Sequence, residues 1–357
     1  MKRVVFGLFI SMFVLMSCED DDGGSNASSS FNRKAMLENY ANNLILPRID
    51  SAVLSANALY NTVENYLSDP TEGNKTLAQQ EWRAAAKDYV RISAYNFGPG
   101  DGLFGTLNEN LGTFPADTVQ IEAYIRAGDN SLDNFNRSTR GYYALEYLLF
   151  EGNEPLTVNR KAYMAAVMTD MTSRLEQLNQ GWSSFVSDFT QNDATNAGSS
   201  TSILFNQFAL YFETSKNFKV GLPAGKRPGQ TAAAPEQVES YYAGYSKELL
   251  NIHLEEVWNI YTGTGVDGED GQGLADYLKA SPGGEAIFNQ TVEQWNNVLA
   301  ANQAVYQTNQ TFQDIVVNEP VLADELYMEL QRHTRFFKSD LSSILGIQIT
   351  YQSGDGD

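Results

Sequence analysis

The sequence predicts an all-α protein built from two packed, up-and-down helical bundles of the four-helix-bundle type. Apolar residues recur every three or four positions over long stretches, which is the spacing of one face of an α-helix. No stretch shows the alternation of apolar and polar residues that is typical of a strand. Clusters of Gly, Pro and Asn separate the apolar stripes, and each stripe must be buried against another, so antiparallel bundles follow.

Residues 1–17 predict a secretory signal peptide. Lys2 and Arg3 precede an apolar run that is too short to span a membrane as a helix, and the run ends at Cys18, the only cysteine of the chain. The residues before Cys18 resemble the lipobox of bacterial lipoproteins, in which the cysteine is acylated and becomes the first mature residue. Cys18 is therefore the predicted lipidation site, and the alternative is a core thiol in an uncleaved chain.

Residues 18–31 predict a lipidated, flexible tether, because the segment from Glu19 to Ser30 has no large apolar side chain to bury. Its acidic start resembles the surface-export signal of Bacteroidetes lipoproteins. That resemblance implies an outer-membrane lipoprotein on the cell surface, with the periplasmic face as the alternative, held to the membrane by its acyl chains. The formal net charge of −20 disfavours nucleic acid as a partner, because nucleic acid is itself an anion.

The first bundle is predicted over residues 32–190. Shorter helices are predicted over 74–95 and 138–151, and two long apolar stripes predict the remaining helices. The stripes consist of Tyr40, Leu44, Val53, Leu59, Val63 and Tyr66, and of Ala162, Ala165, Met168, Met171, Leu175, Leu178, Trp182, Phe185 and Phe189. Pro47 is expected to kink the first of these helices, because proline donates no backbone hydrogen bond.

The second bundle is predicted over residues 199–350, after a polar boundary at 191–198 and before a polar tail at 351–357. Helices are predicted over 199–217 and 284–308, and two further stripes add to them. These stripes consist of Val238, Tyr242, Tyr245, Leu249 and Ile252, and of Leu322, Leu326, Leu330, Phe337, Leu341 and Ile344.

The sequence lacks the motifs of the common hydrolases and nucleotide-binding proteins. Its two histidines, His253 and His333, form no HExxH pair, and no phosphate-binding loop or nucleophile elbow occurs. His253 and Glu256 share one face of a predicted helix, either as a ligand pair or as surface or packing residues. His333 continues an apolar stripe, which indicates a core or interface histidine. The acidic loop Asp267–Gly271 departs from the calcium-loop pattern and is predicted to be a solvated hairpin between helices.

The segment that begins at Arg140 reads Arg-Gly-Tyr-Tyr-Ala-Leu-Glu-Tyr-Leu-Leu-Phe-Glu-Gly. It resembles the signature of the imelysin family, a Gly-x-His-x-x-Glu followed by a Tyr-Leu-Leu run. Gly141 and Glu146 match that signature, whereas Tyr143 occupies the position of the histidine. Further matches follow one another over residues 32–357: Trp82 and Tyr89 before Phe97-Gly98-Pro99, then Lys219 to Gly225, and Leu345 to Gln352.

This resemblance implies an imelysin-like fold of two helical bundles, with the signature helix facing a cleft between them. It also implies an envelope location, a link to iron acquisition and ligand-binding roles for Gly141, Tyr143 and Glu146. A metallopeptidase activity has been proposed for the family. Tyr143 weakens that activity here, because a hydrolytic zinc needs ligands such as two histidines and a glutamate.

Tyr143 and Glu146 are the predicted metal ligands, for iron or for haem. They share one helix face, phenolate and carboxylate oxygens suit ferric iron, and tyrosine can ligate haem iron. The alternative is that Tyr143 only packs, with its hydroxyl bonded to Glu146 or to a facing helix. Three functions stay open: a binding protein that captures iron, haem or another ligand for uptake components, a metallopeptidase, and a non-catalytic adhesion or assembly lipoprotein.

Overall fold

The computed structural model describes residues 31–102, 105–151 and 155–351. The predicted signal peptide, Cys18 and nearly all of the predicted tether and polar tail lie outside these residues. The described chain is helical apart from loops and one antiparallel hairpin, in which strand β1 (Asp101–Gly102) pairs with strand β2 (Gly105–Thr106). The prediction of an all-α fold is confirmed.

The helices fall into two sequential groups. The first group comprises α1 (Arg33–Asn39), α2 (Leu46–Ser68), α3 (Glu72–Ile92), α4 (Leu107–Leu111), α5 (Thr118–Ala127), α6 (Gly141–Phe150) and α7 (Val158–Gln191). The second group comprises α8 (Ser200–Thr214), α9 (Ser246–Thr262), α10 (Leu274–Ala280), α11 (Gly284–Tyr306), α12 (Phe312–Asn318), α13 (Pro320–Thr334) and α14 (Leu341–Leu345). Short π-helical turns cover Tyr40–Ile45, Ser215–Gly221 and Arg335–Asp340.

The long stripes of the first group form helices as predicted, and α2 packs along both α3 and α7. The apolar side of α7 is buried at Met171, Leu175 and Trp182. Each fully buried side chain of this kind stabilises the fold by about 1.5–3 kcal/mol. The helical run is distorted next to Pro47, where the π-helical turn Tyr40–Ile45 leads into α2.

The helix predicted from the stripe at Val238 is wrong in its first half. Helix α9 begins only at Ser246, and residues 238–245 form turns instead. Ser240 and Gly244 adopt φ angles of 58° and 59°, which an α-helix does not allow. The apolar residues of this segment were predicted to be helical because their spacing indicates burial, and Val238 is indeed buried.

The two groups of helices share one continuous buried core. Helix α3 packs on α9, and α1 contacts both α7 and α8. The chain passes from the first group to the second through residues 192–199, close to the predicted boundary, but the division into two domains stays a prediction. Among the described residues, no helix is long and apolar enough to cross a membrane.

Two smaller predictions are confirmed. His333 is fully buried, with its ring 4.2 Å from that of Phe337 and 5.0 Å from that of Trp295, so it is a core histidine. The acidic loop Asp267–Gly271 forms an exposed turn closed by an isolated bridge between Thr264 and Asp270.

Candidate functional site

Helix α6 carries the signature and begins at Gly141 in a close contact with the end of α4. Gly141 has a φ angle of 76°, a backbone conformation that residues other than glycine rarely adopt. A Cβ atom at this position would lie 2.4 Å from the carbonyl oxygen of Leu111. The structure therefore gives the glycine of the signature a backbone role, which lets α6 start against α4.

Tyr143 points from α6 into a buried polar network. Its hydroxyl donates a hydrogen bond to Glu239, which also accepts bonds of 2.5 and 2.6 Å from the Lys219 ammonium. Burial, followed by the charge of Glu239, raises the pKa of Tyr143 well above its usual value. The partner of the hydroxyl is thus neither Glu146 nor a residue of a facing helix, because Glu239 lies in the turns before α9.

Glu146 lies one helical turn further along α6 and is 1% exposed. Its Oε1 accepts hydrogen bonds from the Ser240 hydroxyl at 2.9 Å and from the backbone N–H of Ala243 at 2.7 Å. Burial raises the pKa of Glu146 from 4.5 to about 7, although both hydrogen bonds act in the opposite direction. Both donors come from the turns over residues 238–245, so the non-helical backbone of this segment is part of the site.

A cavity of about 240 Å³, here called the signature cavity, opens over these two residues. Its walls include Phe114, Tyr143, Glu146, Glu236, Ser240 and Tyr242. Two of the lining residues carry carboxyl groups, and none of the described residues that line it is a lysine, an arginine or a histidine. Such a cavity favours a positively charged ligand.

A second cavity, here called the histidine cavity, has a volume of about 160 Å³. It is lined by Lys219, Glu239 and His253, together with aromatic and amide side chains. Phe114 lines both cavities, and Glu239 bonds to Tyr143 of the first and to Lys219 of the second. The ion pair of Lys219 with Glu239 therefore lines the histidine cavity and is linked to the signature cavity through Tyr143.

The predicted pair of His253 and Glu256 is divided between two environments. His253 lines the histidine cavity, and its ring stacks on that of Tyr211 with the centroids 3.7 Å apart. The fully buried carboxylate of Glu256 pairs instead with Arg48 at 2.9 Å. Neither residue is on the surface. His253 packs against Tyr211 and Glu256 belongs to a buried ion pair, so the two side chains form no joint ligand site.

The sequence did not predict Lys219 or Glu239 as residues of the site. Lys219 lies in a segment that resembles the imelysin family, and this resemblance was the one available signal for it. No signal in the sequence pointed to Glu239. Within the described ranges, no group of three or more His, Cys, Asp or Glu side chains could hold a metal ion. Tyr143 and Glu146 are brought to one cavity as predicted, but their role as metal ligands stays a prediction.

The chain is similar to known proteins over most of its length. The family model described as Imelysin matches residues 45–332. Iron-regulated protein A of Synechococcus elongatus is 24% identical over 239 residues, which cover 65% of this chain and 65% of that protein. The match thus leaves about a third of that relative uncovered.

Two solved structures share the fold. The crystal structure of a protein described as an iron-regulated protein A precursor from Parabacteroides distasonis superimposes with a TM-score of 0.69 at 19% identity, covering 87% of this chain and 95% of that one. An imelysin-like protein from Psychrobacter arcticum gives a TM-score of 0.71 at 18% identity, covering 89% and 97%. At these identities the likeness concerns the fold alone.

Proposed function

Because the chain belongs to the imelysin family, we propose that it is an envelope-anchored binding protein that captures iron in the signature cavity and delivers it to uptake components. Iron-regulated protein A of Synechococcus elongatus, to which the chain is similar, is named for a connection with iron, and that name supports a role connected with iron. A peptidase is not proposed, because Tyr143 stands where the family signature has a histidine.

The charge of the signature cavity carries this proposal. Glu146 and Glu236 line it, and no basic side chain among the lining residues neutralises them. Glu146 is held by neutral donors, the Ser240 hydroxyl and backbone N–H groups, and its raised pKa reflects the cost of keeping an ionised carboxylate away from water. A cation that replaces the proton of Glu146 would compensate this cost, which favours cation binding at neutral pH.

The donors present suit iron in an oxygen environment. Carboxylate and phenol oxygens are hard ligands, and Oε2 of Glu146 is the oxygen that we assign to the ion, because both hydrogen bonds end on Oε1. Tyr143 can offer an oxygen lone pair while its proton stays in the bond to Glu239. The protein supplies few ligands, so the ion would enter with water or a small chelator still bound.

The size of the cavity favours an iron ion over haem. Pockets for drug-sized ligands occupy about 300–1,000 Å³. The signature cavity, at about 240 Å³, is below that range, and haem is larger than most drugs.

Equilibrium dialysis of the mature protein against the nitrilotriacetate complex of Fe(III) tests the proposal. We expect Glu146→Gln to lower the affinity at least about tenfold, since it removes a ligand charge while preserving the acceptor for Ser240. Glu255→Gln, an exposed change on α9, is the matched control and should bind iron as the unchanged protein does. Equal iron binding by Glu146→Gln and the unchanged protein would contradict the proposed site.

The membrane anchor is a separate part of the proposal. It rests on the position of Cys18 at the end of the predicted signal peptide. Cells grown with a fatty-acid analogue should label the unchanged protein but not the Cys18→Ser variant. Labelling of the variant, or none of the unchanged protein, would remove the anchor from the account and leave the iron site untouched.

A further inference from the structure

The histidine cavity contains an imidazole whose tautomer the structure fixes. Nε2 of His253 lies 2.8 Å from the backbone carbonyl oxygen of Tyr211, which can only accept a hydrogen bond. Nε2 therefore carries the hydrogen atom, and Nδ1 has a lone pair. Burial lowers the pKa of His253 well below its usual value, and the charge of Lys219 acts in the same direction, so the ring is neutral.

The Nδ1 atom of His253 has no hydrogen-bond partner among the described residues, although the side chain is fully buried. An unpaired buried acceptor is costly, and native proteins satisfy most such groups with protein, water or ligand. Because His253 lines the histidine cavity, a ligand with an O–H or N–H donor can satisfy it there.

Lys219 offers the complementary group in the same cavity. An ammonium has three N–H donors, and the two oxygens of Glu239 accept from it at 2.5 and 2.6 Å. The remaining N–H is charged, so a carboxylate is its strongest acceptor. The positive charge near His253 also argues against a metal cation on Nδ1.

From this arrangement we propose that the histidine cavity binds a small hydroxycarboxylate anion. Its hydroxyl group donates to Nδ1 of His253, and its carboxylate accepts from Nζ of Lys219. The volume of about 160 Å³ limits the ligand to a small organic acid, and Asn96 adds an amide group for a further oxygen. This inference requires no iron and concerns a different cavity from the proposed function.

Calorimetric titration with L-malate and with succinate, which lacks the hydroxyl group, tests the assignment in iron-free protein. We expect malate to bind about tenfold more tightly, the effect of one well-made hydrogen bond. In His253→Gln, the amide can keep the donor to Tyr211 but has no atom in place of Nδ1. That variant should lose the preference for malate.

His333→Gln is the matched control, because His333 is the other buried histidine and lines neither cavity. It should keep the tenfold preference. Equal affinities for the two acids in the unchanged protein, or a preference that survives in His253→Gln, would overturn the proposal. If Glu146→Gln lost malate binding while His253→Gln kept it, the acid would lie in the signature cavity. That result would also overturn the proposal.

A second measurement covers the case in which His253→Gln does not fold. The chain has two histidines, so histidine labelled with ¹⁵N gives resolvable ring signals in the unchanged protein. Malate should shift the Nδ1 signal of His253 and succinate should not. An unshifted signal at saturating malate would overturn the proposal, while iron dialysis would still report independently on the signature cavity.

Discussion

The pH dependence of stability gives a quantitative test of the burial of Glu146. Burial raises the pKa of this carboxyl from 4.5 to about 7, so the native state keeps a proton that the unfolded chain releases. The free energy of unfolding therefore falls as the pH rises through this interval and levels off above it. Each pH unit contributes about 1.4 kcal/mol, which gives a total of about 3 kcal/mol.

The perturbation is Glu146→Gln, and the assay is urea unfolding followed by circular dichroism at pH 5 and pH 8. The glutamine side chain does not ionise, and its carbonyl oxygen can accept the bonds from Ser240 and Ala243. The unchanged protein should lose about 2–3 kcal/mol more than the variant between the two pH values. Glu255→Gln should behave like the unchanged protein. Equal losses in Glu146→Gln and the unchanged protein would refute the reasoning.

Three further substitutions test the fold, each by urea unfolding against a matched control. Leu59→Ala, fully buried in α2, should cost about 2–5 kcal/mol, whereas Leu54→Ala on the same helix, 72% exposed, should change stability by about 0.5 kcal/mol or less. Gly141→Ala should cost at least about 2 kcal/mol through its positive φ angle and the contact with Leu111, while Gly346→Ala, which has a positive φ angle but open space, should cost about 1 kcal/mol. Arg48→Met should cost about 3–5 kcal/mol because it leaves the buried carboxylate of Glu256 unpaired, and Arg332→Met, from a surface pair, about 1 kcal/mol or less. In each pair, equal losses would show that the structural reason is wrong.

Much of the helical architecture could be predicted because burial leaves a periodic trace in the sequence. The stripe of α7 runs along most of the helix, and its residues from Met168 to Trp182 are buried as expected. The same trace misled at Val238, because a spacing of three or four residues records burial and not the backbone conformation that achieves it. Nothing in the letters around Ser240 announces its positive φ angle.

The site was predictable only where it lies within one element. Tyr143 and Glu146 are one helical turn apart, so their common face follows from the spacing. Glu239 is 96 residues from Tyr143 and 20 from Lys219, and only the folded chain brings the three together. The partner of the Tyr143 hydroxyl could not be identified from the sequence for that reason.

The neutral state of His253 also depended on the fold. The sequence offered a His-x-x-Glu pair, but the carbonyl of Tyr211 and the arginine that pairs with Glu256 come from other helices. Both contacts are tertiary. They place the side chains of His253 and Glu256 in different environments, although the helical spacing puts both residues on one helix face.

The most direct test of the central claim is an anomalous difference map, recorded at the iron absorption edge from crystals of the protein soaked with the nitrilotriacetate complex of Fe(III). The account predicts a peak in the signature cavity, in coordination contact with the Glu146 carboxylate, and no peak there in Glu146→Gln crystals. Bound iron elsewhere on the molecule, or an unchanged peak in the variant, would contradict it.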